Sequence, residues 1–88
     1  MEITFDPNKA ATNYRKHGIR FSHAESVLPD PMALTREDRD EEGEQRFISI
    51  GVDATGRLLV VVFSYSGEEI RLISARPATV KEREYYES

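Results

Sequence analysis

Leu58-Leu59-Val60-Val61-Val62-Phe63, at the centre of residues 57–65, is the stretch that decides the fold. Six consecutive apolar residues, three of them valine, are too short for a buried helix and rich in the β-branched types that suit a pleated strand. They are apolar on both parities, so the strand has to be central, with cover on each of its faces. Residues 46–52 and 68–75 flank it with a period of two and read as neighbouring strands. Asp53-Ala54-Thr55-Gly56 and a tight Ser66-Gly67 turn connect the three, which predicts an antiparallel meander.

Working outward, Ile3 and Phe5 alternate with polar neighbours and predict a short first strand. Asp6-Pro7 then starts a helix, with Asp6 accepting from free backbone N–H groups and Pro7 preset for the first helical position. Ala10, Ala11 and Tyr14 are its expected buried stripe, and Gly18 suits the left-handed residue just past its end. His17 falls in the last turn, at the negative end of the helix dipole. Ser22-His23-Ala24-Glu25 has capping-box spacing and predicts a second short helix to about Leu28, stopped by Pro29-Asp30-Pro31. Met32-Ala33-Leu34 is read as a short strand before an acidic, mobile loop over 35–45. Thr79-Val80-Lys81-Glu82 is another capping-box spacing, opening a final helix that includes Tyr85 and Tyr86. The expected architecture is therefore α+β: an antiparallel twisted sheet, two N-terminal helices on one face, and a C-terminal helix beside the other.

Eighty-eight residues with 39% hydrophobic content make one domain with a shallow core. No apolar run approaches the roughly 20 residues of a membrane span, and the opening residues are not a secretion signal. A cytoplasmic protein that does not engage membranes is expected. Without cysteine there are no disulfides or thiolate ligands, and the two histidines lack HExxH spacing, so neither a metal nor another cofactor is expected. The net charge is −4, but residues 37–44 alone hold six acids against one arginine, a local −5 that leaves +1 over the rest. Residues 9–20 hold four bases and no acid, and 70–83 hold Arg71, Arg76, Lys81 and Arg83 against Glu82. Two basic segments are thus divided by one acidic one. Local field, screened over about 8–10 Å, steers a ligand more than net charge does.

Such groups suit metal-free scission of RNA. If the ribose 2′-hydroxyl attacks the adjacent phosphorus, a base must take its proton, cations must meet the charge on the phosphate oxygens, and an acid must protonate the departing 5′-oxygen. Histidine and tyrosine move protons, and arginine holds two phosphate oxygens in its planar fork. Each candidate also has an ordinary structural use. His17 suits a helix C-cap as well as it suits catalysis, and His23 sits within the capping-box turn. Arg71 on a strand is ordinarily paired with a carboxylate such as Glu68, Glu69 or an acid of the last helix. Arg76 is either a ligand group or a cap at the sheet end, and Tyr86 serves equally to pack the last helix.

Phe5-Asp6-Pro7, Lys9, Asn13, Lys16-His17-Gly18-Ile19, Asp30-Pro31, Arg46, Gly51, Arg57-Leu58-Leu59-Val60-Val61, Ile70-Arg71, Ile73-Ser74-Ala75-Arg76, Ala78-Thr79, Glu82-Arg83 and Tyr86-Glu87 resemble the BrnT family pattern over nearly the whole chain. The resemblance implies a RelE-like fold and a ribonuclease that arrests translation as the toxin of a type II toxin–antitoxin pair. It also implies a BrnA-type ribbon-helix-helix antitoxin, an antitoxin dimer completing a heterotetramer, and DNA binding left to that antitoxin. Its pattern places catalytic candidates at His17, Arg71, Arg76 and Tyr86, with Lys16, Arg46 and Arg83 as further RNA contacts. Phe5 stands where tryptophan is usual, Leu28-Pro29 replaces a more regular helix end, and Tyr65-Ser66 replaces a turn often threonine-rich and basic. The rival reading is a non-catalytic module that docks a protein partner on the same charged face.

Overall fold

A computed structural model describes residues 2–88. Its elements run β1 (Glu2–Thr4), α1 (Pro7–His17), α2 (Phe21–Glu25), β2 (Leu34–Arg39), β3 (Gln45–Val52), β4 (Leu58–Ser66), β5 (Glu69–Pro77) and α3 (Val80–Glu87). The five strands form one sheet in the order β1-β5-β4-β3-β2. β4 is the middle strand, as its doubly apolar sequence requires. β2 to β5 make the antiparallel meander, and β1 adds to β5 in parallel, with Ile3 opposite Ile70, so the sheet is mixed.

Alternation along β4 separates the two faces. Leu59, Val61 and Phe63 point to the first face and join Leu72, Ala75 and the residues that α2 and its flanks bring down, Ile19, Phe21, Ala24 and Val27. Leu58 and Val60 are just as buried but point to the second face. There α3 lies over β3, and Ile48 and Ile50 meet Tyr85. The first and second helices therefore cover one face and α3 covers part of the other. The remainder of the second face is open.

Local signals set the helix bounds with one exception. Asp6 accepts from Asn8 N–H at 2.8 Å, Gly18 closes α1 at φ 71°, and Thr79 and Glu82 satisfy each other's backbone donors at the start of α3. In α2 the expected capping box does not form. The N-cap is Arg20, which gives no side-chain bond, and Ser22 is already helical. Burial of Phe21 and Ala24 fixes this helix, so packing overrides the local spacing. The α1 stripe also differs from expectation: Ala11 and Tyr14 are exposed, and Asn13 is the buried residue.

The largest departure lies in the acidic segment. Five of the residues read as a mobile loop, Thr35 to Arg39, belong to β2, which pairs with β3 from Leu34↔Ile50 to Arg39↔Gln45. Only the turn at 40–44 lies outside strands, held by Asp40, whose carboxylate accepts from the N–H groups of Glu42 and Glu44 at 2.9 Å each. As an edge strand exposed on both sides, β2 needs no apolar alternation, and its charges pair along the strand instead: Arg36 with Asp38 at 4.0 Å and Arg39 with Glu37 at 3.6 Å. Gly51 lets the preceding loop close on β3. A Cβ there would stand 2.9 Å from Val27 Cγ1 and 3.1 Å from both Ala33 Cβ and Asp30 Oδ2.

Candidate functional site

β1 covers β5 only as far as Arg71, opposite Thr4, and beyond it the β5 edge would be bare. α1 fills that place. The Asn13 carboxamide donates to Ala75 O at 2.9 Å and accepts from Ala75 N–H at 3.0 Å, pairing with the strand edge as a backbone would. Its second N–H reaches Ile19 O at 3.1 Å, which ties the turn after Gly18 to the same point. A buried primary amide has two donors and an acceptor to satisfy, and here each has a partner. This clip holds the last turn of α1, with Arg15, Lys16 and His17, against the sheet.

Two adjoining depressions result. One, of about 370 Å³, is lined by Lys9, Thr12, Asn13, Lys16 and His17 of α1 and by Ile73 and Ser74 of β5. The other, of about 250 Å³, is lined by Lys9, Asp40, Glu44, Gln45, Arg46, Ser64, Arg71 and Ile73. They share Lys9 and Ile73, so together they form one groove running from His17 to Arg46. A register shift at Val62/Phe63 makes Ile73 the extra residue of β5, and a bulge of this kind re-aims the side chains around it.

The groove gathers four of the seven residues named from sequence: His17, Lys16, Arg71 and Arg46. Arg71 is exposed and, among the described residues, forms no ion pair, so the expected partnership with Glu68, Glu69 or an acid of α3 does not occur. Arg46 donates to Asp38 through Nε at 3.3 Å and NH2 at 3.1 Å, and this pair holds the Asp38 carboxyl below its usual range. Asp40 and Glu44 give the Arg46 end of the groove an acidic lip.

The other three lie with α3. Arg76 points to the second face, but its fork is taken by Glu82, NH1 to Oε1 and NH2 to Oε2 at 2.8 Å each. That hydrogen-bonded guanidinium is the main reason the Glu82 carboxyl falls from its usual 4.5 to about 2, against the opposing effect of burial. Tyr86 donates to Asp30 Oδ2 at 2.7 Å, and the phenol is pushed above its usual range chiefly by that bond. Asp30 also accepts from Val52 N–H at 2.9 Å, so the contact anchors α3 to the end of β3. Arg83 is exposed on α3 and lines neither depression. His23 sits elsewhere, its Nδ1 2.8 Å from Arg57 NH2, beside the fully buried Asp53 carboxylate that organises the 53–57 turn.

Lys9, the residue common to both depressions, and Asn13 stand in the sequence pattern but have no site role there. Lys9, Asn13 and Lys16 recur at i, i+4 and i+7, one helical face, which is the signal that identifies them together.

A family model described as the ribonuclease toxin, BrnT, of type II toxin–antitoxin systems matches residues 5–82. The chain belongs to the BrnT family. No curated protein matches it. Among solved structures it is similar to the crystal structure of the ribonuclease toxin BrnT of Brucella abortus, at 30% identity and a TM-score of 0.71, with 90% of this chain and 97% of that one covered. The match takes in α1, the meander and the opening of α3, and therefore every element that builds the groove. BrnT family membership carries the description of a ribonuclease toxin and implies an antitoxin partner.

Proposed function

We propose that the groove binds RNA and cuts it internally without a metal ion, and that the cuts arrest translation in the cytoplasm. The observation that supports this is the shared lining of the two depressions, which puts an imidazole and an unpaired guanidinium along one concave surface with Lys9 and Lys16 between or beside them. A backbone phosphate sits against Arg71, whose fork takes two oxygens, while the lysines hold neighbouring phosphates. His17 exchanges protons with the reacting ribose and phosphate. The 2′-hydroxyl gives up its proton to a base and its oxygen bonds to phosphorus as the P–O5′ bond breaks, leaving a 2′,3′-cyclic phosphate and a 5′-oxygen that takes up a proton to become the 5′-hydroxyl. DNA lacks the attacking hydroxyl and is not cut.

Arg76 and Tyr86 enter this proposal in a second role. With their polar atoms committed to Glu82 and Asp30, they hold α3 on the second face over β3, while the reacting phosphate is left to Arg71. Arg83 and Arg46 supply outer contacts to the RNA backbone. A BrnA-type ribbon-helix-helix antitoxin neutralises the toxin, and its dimer makes a heterotetramer with two copies of this chain.

Incubating the purified chain with total RNA, with and without EDTA, is the test. Cleavage that survives chelation and ends in 2′,3′-cyclic phosphates, lost in His17→Ala and Arg71→Ala, is the expected result. Intact RNA in every lane overturns the proposal.

A further inference from the structure

The groove reaches as far as the 40–44 turn and leaves the outer edge of β2 unused. Among the described residues β2 pairs with β3 alone, and its outer backbone groups have no strand beside them. Asp40 N–H donates to Glu44 O across the turn, which fixes the alternation: residues 34, 36 and 38 turn their backbone groups toward β3, and Thr35, Glu37 and Arg39 turn theirs outward. Alongside runs a cleft on the second face, between β2–β3 and α3, with an apolar floor and with Arg36, Lys81 and Glu82 in its lining. Leu34, Ile48, Ile50 and Tyr85 line it, in two contiguous parts of about 200 and 360 Å³. Leu34 is 36% exposed and Tyr85 62%.

Charge identifies the occupant. The edge runs into the 40–44 turn, where Glu41, Glu42 and Glu44 form no ion pair among the described residues. RNA is repelled by those carboxylates, and a second copy offers them no surplus of cations, since its β2 balances Arg36 and Arg39 against Glu37 and Asp38 and its turn is equally acidic. The complement is a chain with apolar residues on alternate positions at one end and cations at the other.

We propose that the β2 edge and its adjoining cleft dock an extended segment of the antitoxin as a sixth strand, its apolar side chains in the cleft and its lysine or arginine side chains beside the acidic turn. The inference rests on reading this chain as the toxin of a pair. Backbone bonds to Thr35, Glu37 and Arg39 supply affinity, and the cleft and the turn supply register. The docked segment lies on the far side of β3 and β4 from α1, so the antitoxin can hold the toxin without filling the groove from the His17 end.

The test uses the full chain with the co-expressed BrnA-type antitoxin. Glu37→Pro removes one outward N–H and keeps the bonds to β3; it is expected to weaken the complex at least tenfold while leaving RNA cleavage by the free chain unchanged. Tyr85→Ala and the pair Glu41→Lys, Glu42→Lys are expected to weaken it as well. Hydrogen exchange on the unaltered chain gives a reading independent of any variant's folding: the amides of Thr35, Glu37 and Arg39 slow when antitoxin is present. Unslowed amides, unchanged affinity in all three variants, slowing by RNA, or slowing by concentrating the chain alone each overturn the proposal. If the amides slow with antitoxin but the free chain leaves RNA intact, the docking stands and the ribonuclease reading falls.

Discussion

Replacing Asn13 by alanine removes three hydrogen bonds at a buried point and leaves Ala75 N–H, Ala75 O and Ile19 O without partners. Each buried group left unpaired costs about 1–3 kcal/mol, and the neighbouring depression lets water reach some of them, so the lower end of that range applies and the total is about 3 kcal/mol. For 88 residues the whole stability is about 4–13 kcal/mol, which makes this one of the largest single losses available outside the apolar core. Thermal unfolding should move down by about 12–24 °C. Urea denaturation at pH 7 gives the free energy directly, with an unchanged m-value confirming that the denatured state is unaltered. Asn13→Asp sharpens the test. Its carboxylate would face two carbonyl oxygens, so the folded state favours the protonated acid and raises its pKa. A raised carboxyl binds its proton more tightly when folded, so stability falls as pH rises above about 4 and recovers as pH is lowered toward it. A loss below about 0.5 kcal/mol in Asn13→Ala, or an Asn13→Asp protein more stable than Asn13→Ala at pH 7, would refute the strand-like role of this side chain.

Further outcomes follow from the same contacts. Glu82, at about 2 when folded and 4.5 otherwise, contributes stability that is complete above pH 4.5 and lost as pH falls through 2; with Arg76 side-chain exposure at 40% this amounts to about 1 kcal/mol after solvent screening, and Glu82→Gln should flatten the acid limb of a melting-temperature profile over that window. Arg71→Ala should lower RNA affinity and its salt slope by about one phosphate contact, measured by titration at several salt concentrations, with stability shifted by no more than about 0.5 kcal/mol. Glu44→Gln, which takes one charge from the acidic lip, should tighten RNA binding, most visibly at low salt. Gly51→Ala should cost about 1–3 kcal/mol in denaturant titrations through its clash with Val27, unless the 27–33 loop retreats from β3.

What the sequence makes legible is whatever local chemistry fixes. The doubly apolar run at 58–63 put β4 in the centre, and the Asp6-Pro7, Gly18 and Thr79-x-x-Glu82 signals set the ends of α1 and the start of α3. β2 was hidden because an edge strand wet on both faces shows no hydrophobic period, and its acids suggested a loop. β1 adds to β5 in parallel through three residues, too few to announce a partner. In the site, His17 and Arg71 were readable as residue types, but their common groove depends on Asn13, whose partners lie on β5 and past the helix end. The fork from Arg76 to Glu82 spans a proline and a capping box. Nothing at that spacing distinguishes it from a free arginine.

The Asn13 clip also carries a timetable. Its partner Ala75 is 62 residues further along, and at about 5–20 residues per second a ribosome needs about 3–12 seconds to make that span. Throughout this interval the nascent chain carries His17 and Lys16 on a helix with no β5 to rest on. The two walls of the groove are made apart and can meet only near the close of synthesis, so no half-made copy presents the assembled groove.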